Sequence, residues 1–133
     1  MNCTFFGHRD APYVLKSKVK KTILELKSND IELFYVGNNG NFDLLVQEVL
    51  EELGVEYQIV LSRINEEAIS GNQENTFFPE GLEFALPKFA ISKRNEWLLK
   101  NSSIVISYCK NSYSNVYKWL EKARKIGLDI ISL

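Results

Sequence analysis

Three short stretches carry residues whose types and spacing suit ligand chemistry. "GNNGN" (Gly37–Asn41) separates an apolar run from an amphipathic one, and Asp43 follows it. "GHRD" (Gly7–Asp10) closes the first apolar run and holds the single histidine, His8. "KRNEW" (Lys93–Trp97) sets an arginine beside an asparagine. Glycines ahead of a helix let a ligand approach the main chain, where the first free amides and the helix dipole favour an anion. Arg9 and Arg94 offer planar, permanently charged partners to phosphate or carboxylate. Asn38, Asn39 and Asn95 offer hydrogen bonds to sugar hydroxyls or base edges. Asp43, in a first helical turn, is a poor phosphate partner and fits better as an acceptor for ribose hydroxyls or as a brace for Arg9.

Each stretch also has a plainer reading. Glycines at strand ends are often turns and nothing more, so "GNNGN" alone reads equally as a turn or as an anion cradle. His8 serves as a base, as a hydrogen-bond partner for its turn or as a cap; with no partner acid or nucleophile in view, the structural roles are favoured. Arg9 alone carries little weight, since a lone arginine is usually solvated. "LKSKVKK" (Leu15–Lys21) is basic, but its lysines alternate with an apolar stripe and form a solvated helix face. The functional reading rests on whether the three stretches converge.

The order of elements says that they do. "CTFFG" (Cys3–Gly7), "IELFYVG" (Ile31–Gly37), "EYQIVLS" (Glu56–Ser62), "SIVISYC" (Ser103–Cys109) and "LDIISL" (Leu128–Leu133) read as strands. Between them lie helical patterns: Leu15, Val19, Ile23 and Leu26 at helical spacing, then Asn41–Leu53, Lys88–Asn101 and Ser114–Gly127. Asn41 is the expected N-cap of the second helix and Gly54 its stop. Residues 63–87 read as irregular, with one helical turn at "NEEAI". Alternation of this kind predicts a Rossmann-like, doubly wound α/β fold with a five-stranded parallel sheet, ordered 3-2-1-4-5. Ligands then bind beyond the carboxyl ends of the strands, where the order reverses between the first and fourth strands. "GHRD", "GNNGN" and the start of the helix carrying Arg94 all fall on that rim.

Composition narrows the classes further. The 133 residues, 45% of them hydrophobic, suit one domain with a real core. The net charge of −1 gives no global argument for nucleic acid or membrane as a partner. No apolar run is long enough to span a bilayer and "MNCTFFGHRD" does not read as a signal peptide, so the cytoplasm is the expected compartment. Cys3 and Cys109 lack metal-ligand spacing and fall at opposite ends of the expected sheet, which argues against a disulfide. No metal and no cofactor is expected. Trp97, Trp119 and Leu133 belong either to the core or to a homodimer face.

Taken together, "FFGHRD", "GNNGNFDLLVQEVLEEL" and "FAISKRNEWLLKNSSIVISYC" stand in an order that resembles the SLOG superfamily. This clan joins the DNA-processing protein DprA/Smf to the LOG nucleotide hydrolases. The small YpsA-type branch is the most similar, with its Gly-His-Arg after the first strand, its Gly-Gly-x-x-Gly-Phe-Asp-like turn after the second and its Arg-Asn-x-Trp before the fourth. The resemblance covers nearly the whole chain and implies a single nucleotide-binding domain over residues 1–133. Carried over by motif, the ligand site comprises Gly7, His8, Arg9, Gly37, Asn38, Asn39, Gly40, Asp43, Arg94 and Asn95. Asn38 departs from the glycine common in relatives. The Pro-Gly-Gly-x-Gly-Thr-x-x-Glu signature of the LOG hydrolases is absent.

Three functions follow from this reading. The first is binding or sensing of a nucleotide or a nucleotide-derived small molecule. The second is hydrolysis of an N-glycosidic bond, for which Glu80, Glu83 and Asp43 are the carboxylates near the rim; none sits in a diagnostic motif, so no catalytic residue is assigned. The third is a DprA-like module for single-stranded DNA, using Phe77, Phe78, Tyr108 or Tyr113, against which the balanced charge argues. Arg9 and Arg94 both lie outside the apolar stripes and are expected to be dispensable for folding.

Overall fold

The computed structural model describes residues 1–63 and 75–133. Among them, β1 (Asn2–Gly7) leads through a 3-10 turn (Tyr13–Leu15) into α1 (Lys16–Lys27). Then come β2 (Leu33–Val36), α2 (Asn41–Leu53), β3 (Tyr57–Val60) and the short β4 (Thr76–Phe77). Two 3-10 turns, Leu82–Phe84 and Pro87–Phe89, precede α3 (Ala90–Lys100), which is followed by β5 (Ile104–Tyr108), α4 (Asn115–Lys125) and β6 (Asp129–Ser132). The helical turn expected at "NEEAI" lies outside the described residues. No described helix is long and apolar enough to cross a membrane.

All pairings are parallel, and the six strands run in the order β4-β3-β2-β1-β5-β6. The expected five-strand order is therefore extended at one edge by β4, where Thr76 and Phe77 pair with Ile59 and Val60. Two residues are too few to show any alternation, so this strand could not be read from its own sequence. β1 sits at the centre. Its register, Cys3 to Ile104 on one side and Cys3 to Phe34 on the other, aligns the ends of β1, β2 and β5.

Strand alternation divides the core in two. Cys3, Phe5, Phe34, Val36, Ile104 and Ile106 face one layer with Val19, Ile23 and Leu26 of α1 and Leu45, Val46, Val49 and Leu50 of α2. Phe6, Tyr35, Val60 and Val105 face the other with Leu98 and Leu99 of α3 and Leu120 and Ala123 of α4. The helices before and after the β1–β5 junction thus cover opposite faces, which leaves a crevice at the carboxyl end of that junction. Thr4, fully buried in β1, is accommodated because its hydroxyl donates to the Tyr35 carbonyl at 3.0 Å. Cys3 and Cys109 are both free, Cys3 buried near the start of β1 and Cys109 just beyond β5. Burial pushes the Cys3 thiol far above its usual range.

The last residue of β1, Gly7, fixes how α2 meets the sheet. A β-carbon there would overlap the Phe42 ring, and Phe42 is 1% exposed and cannot retreat. Phe42 in turn stacks near Tyr108 at the end of β5, with ring centroids 6.5 Å apart. Gly7→Ala is therefore expected to destabilise by about 1–3 kcal/mol through overpacking. In a Phe42→Leu background the same change should cost clearly less. Urea unfolding of the double-mutant cycle tests this; strict additivity of the two changes would show that the two residues are not in conflict.

Candidate ligand-binding site

Arg94, in the second turn of α3, is 4% exposed. Its Nη1 donates to the Val60 carbonyl at 3.2 Å and to Asn39 Oδ1 at 3.4 Å, while Nε donates to Asn95 Oδ1 at 3.0 Å. The guanidinium thereby ties the end of β3 to the loop after β2. Gly37 makes room for it: a β-carbon at Gly37 would come within 2.7 Å of both Arg94 Nη1 and Asp43 Oδ2. Arg94 and Asp43 thus face each other beside Gly37 without forming one of the direct ion pairs seen among the described residues. Burial pushes the Asp43 carboxyl up, against the pull of Arg94, the Asn39 amide and Arg9. Burial pushes the Arg94 guanidinium down, against the pull of Asp43 and with added repulsion from Arg9. Each charge is costly in place, and each partly compensates the other. At odds with the expectation that Arg94 is dispensable for folding, α3 turns that side chain into the junction, where it is buried and bonded.

The "GNNGN" segment is both a turn and a joint between loops. Gly40, not the expected Asn41, caps α2, with φ of 130°. Its α-carbon lies against Arg9: a side chain there would meet the Arg9 Cα at 2.7 Å. The next amide, that of Asn41, donates to the Arg9 carbonyl at 2.9 Å. Asp43 reaches back to accept the Asn39 amide at 2.9 Å, and Gln47 Nε2 donates to the Gly37 carbonyl at 2.8 Å. The Asn39 and Asn41 amides are thus engaged within the protein, and the space that Gly40 leaves open is filled by the Arg9 Cα and the first carbons of its side chain.

His8 joins the β1 loop to the β5 loop. Its Nε2 accepts the Lys110 amide at 2.8 Å, and its ring meets Tyr108 edge-on at a centroid distance of 5.6 Å. An acceptor at Nε2 requires the neutral imidazole with its proton on Nδ1. The sequence favoured a structural role, within its own turn or as a cap; the bond runs instead to another loop. Beyond it, Cys109, Asn111 and Ser114 bond among themselves, and Ser114 Oγ caps α4 by accepting the Tyr117 amide at 3.2 Å.

These loops surround a cavity of about 650 Å³ at the carboxyl end of the β1–β5 junction. Gly7, His8, Arg9, Gly37, Asn39, Asp43, Arg94 and Asn95 line it; Asn38, which is exposed, and Gly40 do not. Of the three candidate carboxylates, Asp43 lines it, whereas Glu80 and Glu83 are exposed elsewhere. The structure adds a wall that the motifs did not indicate: Asn115, Val116, Lys118, Trp119 and Lys122 of α4, with Ile91 and Ser92 of α3. The signal was present in the sequence, since positions 115, 118, 119 and 122 share one helical face. A shallower depression over α1, lined by Lys20, Lys21 and Leu24, lies away from the strand ends. Among the described residues, no three His, Cys, Asp or Glu side chains gather as a metal site would require.

No protein-family model and no curated protein matches the chain. Among solved structures it is similar to the X-ray structure of DNA processing protein A (DprA) from Streptococcus pneumoniae, with a TM-score of 0.75 and 18% sequence identity. The match covers 98% of this chain and 49% of that one, so this chain spans about half the length of that protein. At this identity the likeness is one of fold: a DprA-like, Rossmann-like α/β architecture over nearly the whole chain.

Two substitutions separate the structural roles in this site. Arg94→Ala is expected to cost about 3–5 kcal/mol, because it strips the Val60 carbonyl and Asn39 of a donor and leaves Asp43 without its counter-charge. Chemical denaturation measures this, and a loss under 1 kcal/mol would mean the buried bridge contributes little. Gly40→Ala is expected to cost about 1–3 kcal/mol, from the left-handed backbone and from contact with Arg9. An unchanged unfolding midpoint in that variant would show that the two loops separate freely.

Proposed function

We propose that this protein binds a nucleotide or a nucleotide-derived small molecule at the carboxyl rim of its sheet, as the resemblance to YpsA-type SLOG proteins implies. One observation carries the reading: a cavity of about 650 Å³ at the strand-order reversal, walled by the three polar stretches. Its volume suits a drug-sized or nucleotide-sized ligand, and its position is where open α/β sheets take theirs. Of the ligand set that the resemblance implies, Gly7, His8, Arg9, Gly37, Asn39, Asp43, Arg94 and Asn95 line the cavity and Asn38 and Gly40 stand outside its lining, so the roles divide. Arg9 is exposed at the mouth and supplies the direct charge-assisted contact to an anion. Asn39, Asn95 and Asp43 present acceptors to hydroxyls. Arg94, His8 and Gly40 act chiefly by holding the loops in register.

Hydrolysis of an N-glycosidic bond is the second reading, and Asp43 is the observation that favours it. Its carboxyl lines the cavity and is pushed up by burial, the direction that suits a general acid. DprA is by its name a DNA processing protein, but a single-stranded DNA module here has less support. Such binding needs a basic groove lined by free stacking rings; Phe77 packs on Trp97, Tyr108 contacts His8 and Phe42, Tyr113 is exposed, and none of these or Phe78 lines the cavity.

A thermal-shift screen over nucleotides, cyclic nucleotides and ADP-ribose derivatives is expected to raise the midpoint. Ligand at about a hundred times its dissociation constant adds roughly 2.7 kcal/mol. Silence across the whole screen at high concentration would remove the nucleotide reading. Arg9→Ala should bind about ten- to hundredfold more weakly while melting close to the parent, since a charge-assisted bond contributes about 1.5–3 kcal/mol. Chromatography of the incubated ligand separates binding from turnover, and cleavage lost in Asp43→Asn would favour the hydrolase.

A further inference from the structure

The wall contributed by α4 differs in chemistry from the loops opposite. Val116 and Trp119 join Phe6, Leu98 and Ile91 in an apolar patch, and Lys118 and Lys122 stand on the same helix face. Trp119 is half-buried, with its indole nearly parallel to Phe6 (9° between planes, centroids 6.2 Å apart). Lys122 Nζ lies 4.4 Å from the centre of its ring. Phe5 and Phe6 also line the cavity but are 2% and 6% exposed, so the indole is the larger π surface offered to a ligand. The second tryptophan, Trp97, is committed to Tyr35 and Phe77, each at 5.0 Å, and does not line the cavity.

We propose that Trp119 is the stacking platform of this cavity, so that the ligand carries a planar nucleobase together with an anionic group and is not a sugar phosphate alone. This deepens the nucleotide reading above and rests on it. An indole offers any base a π face, and stacking of this kind is tolerant of which base it is. Lys122 covers the ring with a flexible, exposed side chain, held by a cation–π contact that is weak at exposed sites. A base displaces that ammonium from the ring, and the freed charge stays within reach of the anionic group. The charges of the lining agree: Arg9, Arg94, Lys118 and Lys122 are basic, and Asp43 is the acidic residue among them.

Calorimetry with the four common nucleoside 5′-monophosphates and with ribose 5-phosphate tests the proposal. At least one nucleoside monophosphate is expected to bind about tenfold or more tighter than ribose 5-phosphate, and to quench tryptophan emission. Trp119→Leu should abolish that preference and leave the affinity for ribose 5-phosphate near the parent's; Trp119→Phe should keep part of it. Equal affinity for the monophosphates and ribose 5-phosphate overturns the stacking platform while leaving an anion site at the rim. A preference for the base that survives Trp119→Leu overturns it too, by placing the base elsewhere. If no compound binds, the proposal fails, and the nucleotide reading fails with it where the thermal-shift screen is also silent. Should Trp119→Leu fold poorly, Trp97→Phe leaves Trp119 as the sole indole; unquenched emission in that variant at saturating monophosphate then overturns the proposal.

Discussion

A buried guanidinium holds the carboxyl end of this sheet together. Arg94 reaches from α3 to the end of β3 and to the loop after β2, and it faces the Asp43 carboxyl that begins α2. Burying either charge alone would be prohibitive, and burying both is tolerable only while the geometry is kept. That requirement propagates outward. Gly37 must lack a side chain to admit the guanidinium, Asp43 must sit in the first helical turn, and Asn39 must turn its amide to Asp43 and its side-chain oxygen to Arg94. A polar cluster of this kind suits a site that must hold its shape, because a partly satisfied version is costlier than either extreme.

A second joint sits beside the first. Gly40 packs on Arg9 and the Asn41 amide bonds to the Arg9 carbonyl, so the β1 and β2 loops are joined into one unit. His8 extends the unit to the β5 loop through the Lys110 amide. Glycine-rich sequence ahead of a helix usually brings anion cradles to mind, because bare amides and close approach are what a phosphate needs. Here the close approach is made by another loop, and the Asn39 and Asn41 amides are spent inside the protein. The cationic character of the cavity therefore rests more on side chains, with Arg9 on one wall and Lys118 and Lys122 on another.

The two walls also differ in what they can recognise. The loop wall is polar, pre-bonded and tied to the centre of the sheet, which suits fixed hydrogen-bond geometry toward a small polar moiety. The α4 wall is apolar and aromatic, with mobile lysine tips, and suits a flat apolar surface bearing charge at its edge. The sheet enforces this division. Helices on opposite faces diverge where the strand order reverses, so one crevice is bordered by elements of unlike character.

Much of this was readable in the sequence. Alternating short apolar runs and helical stripes encode a doubly wound parallel sheet, because strands buried on both faces and helices buried on one have different periods. The bounds of α2, from Asn41 to Leu53, followed from its stripe and from Gly54, which takes the left-handed conformation there. The three polar stretches were placed on one rim by strand order alone. Tertiary structure decided what those residues do. Whether Arg94 is an arm in solvent or a buried bridge depends on which way α3 rolls against β3, and no local pattern records that. Whether Gly40 serves a ligand or Arg9 depends on the distance between two loops whose contacting residues are 31 positions apart in sequence. The edge strand β4 exists because β3 offers Thr76 and Phe77 a free ladder, and Trp119 reaches the cavity because the β1–β5 junction opens beneath α4. Periodicity is a local property and survives in the chain; partners across a fold are set by packing, and packing exists only once the chain has folded.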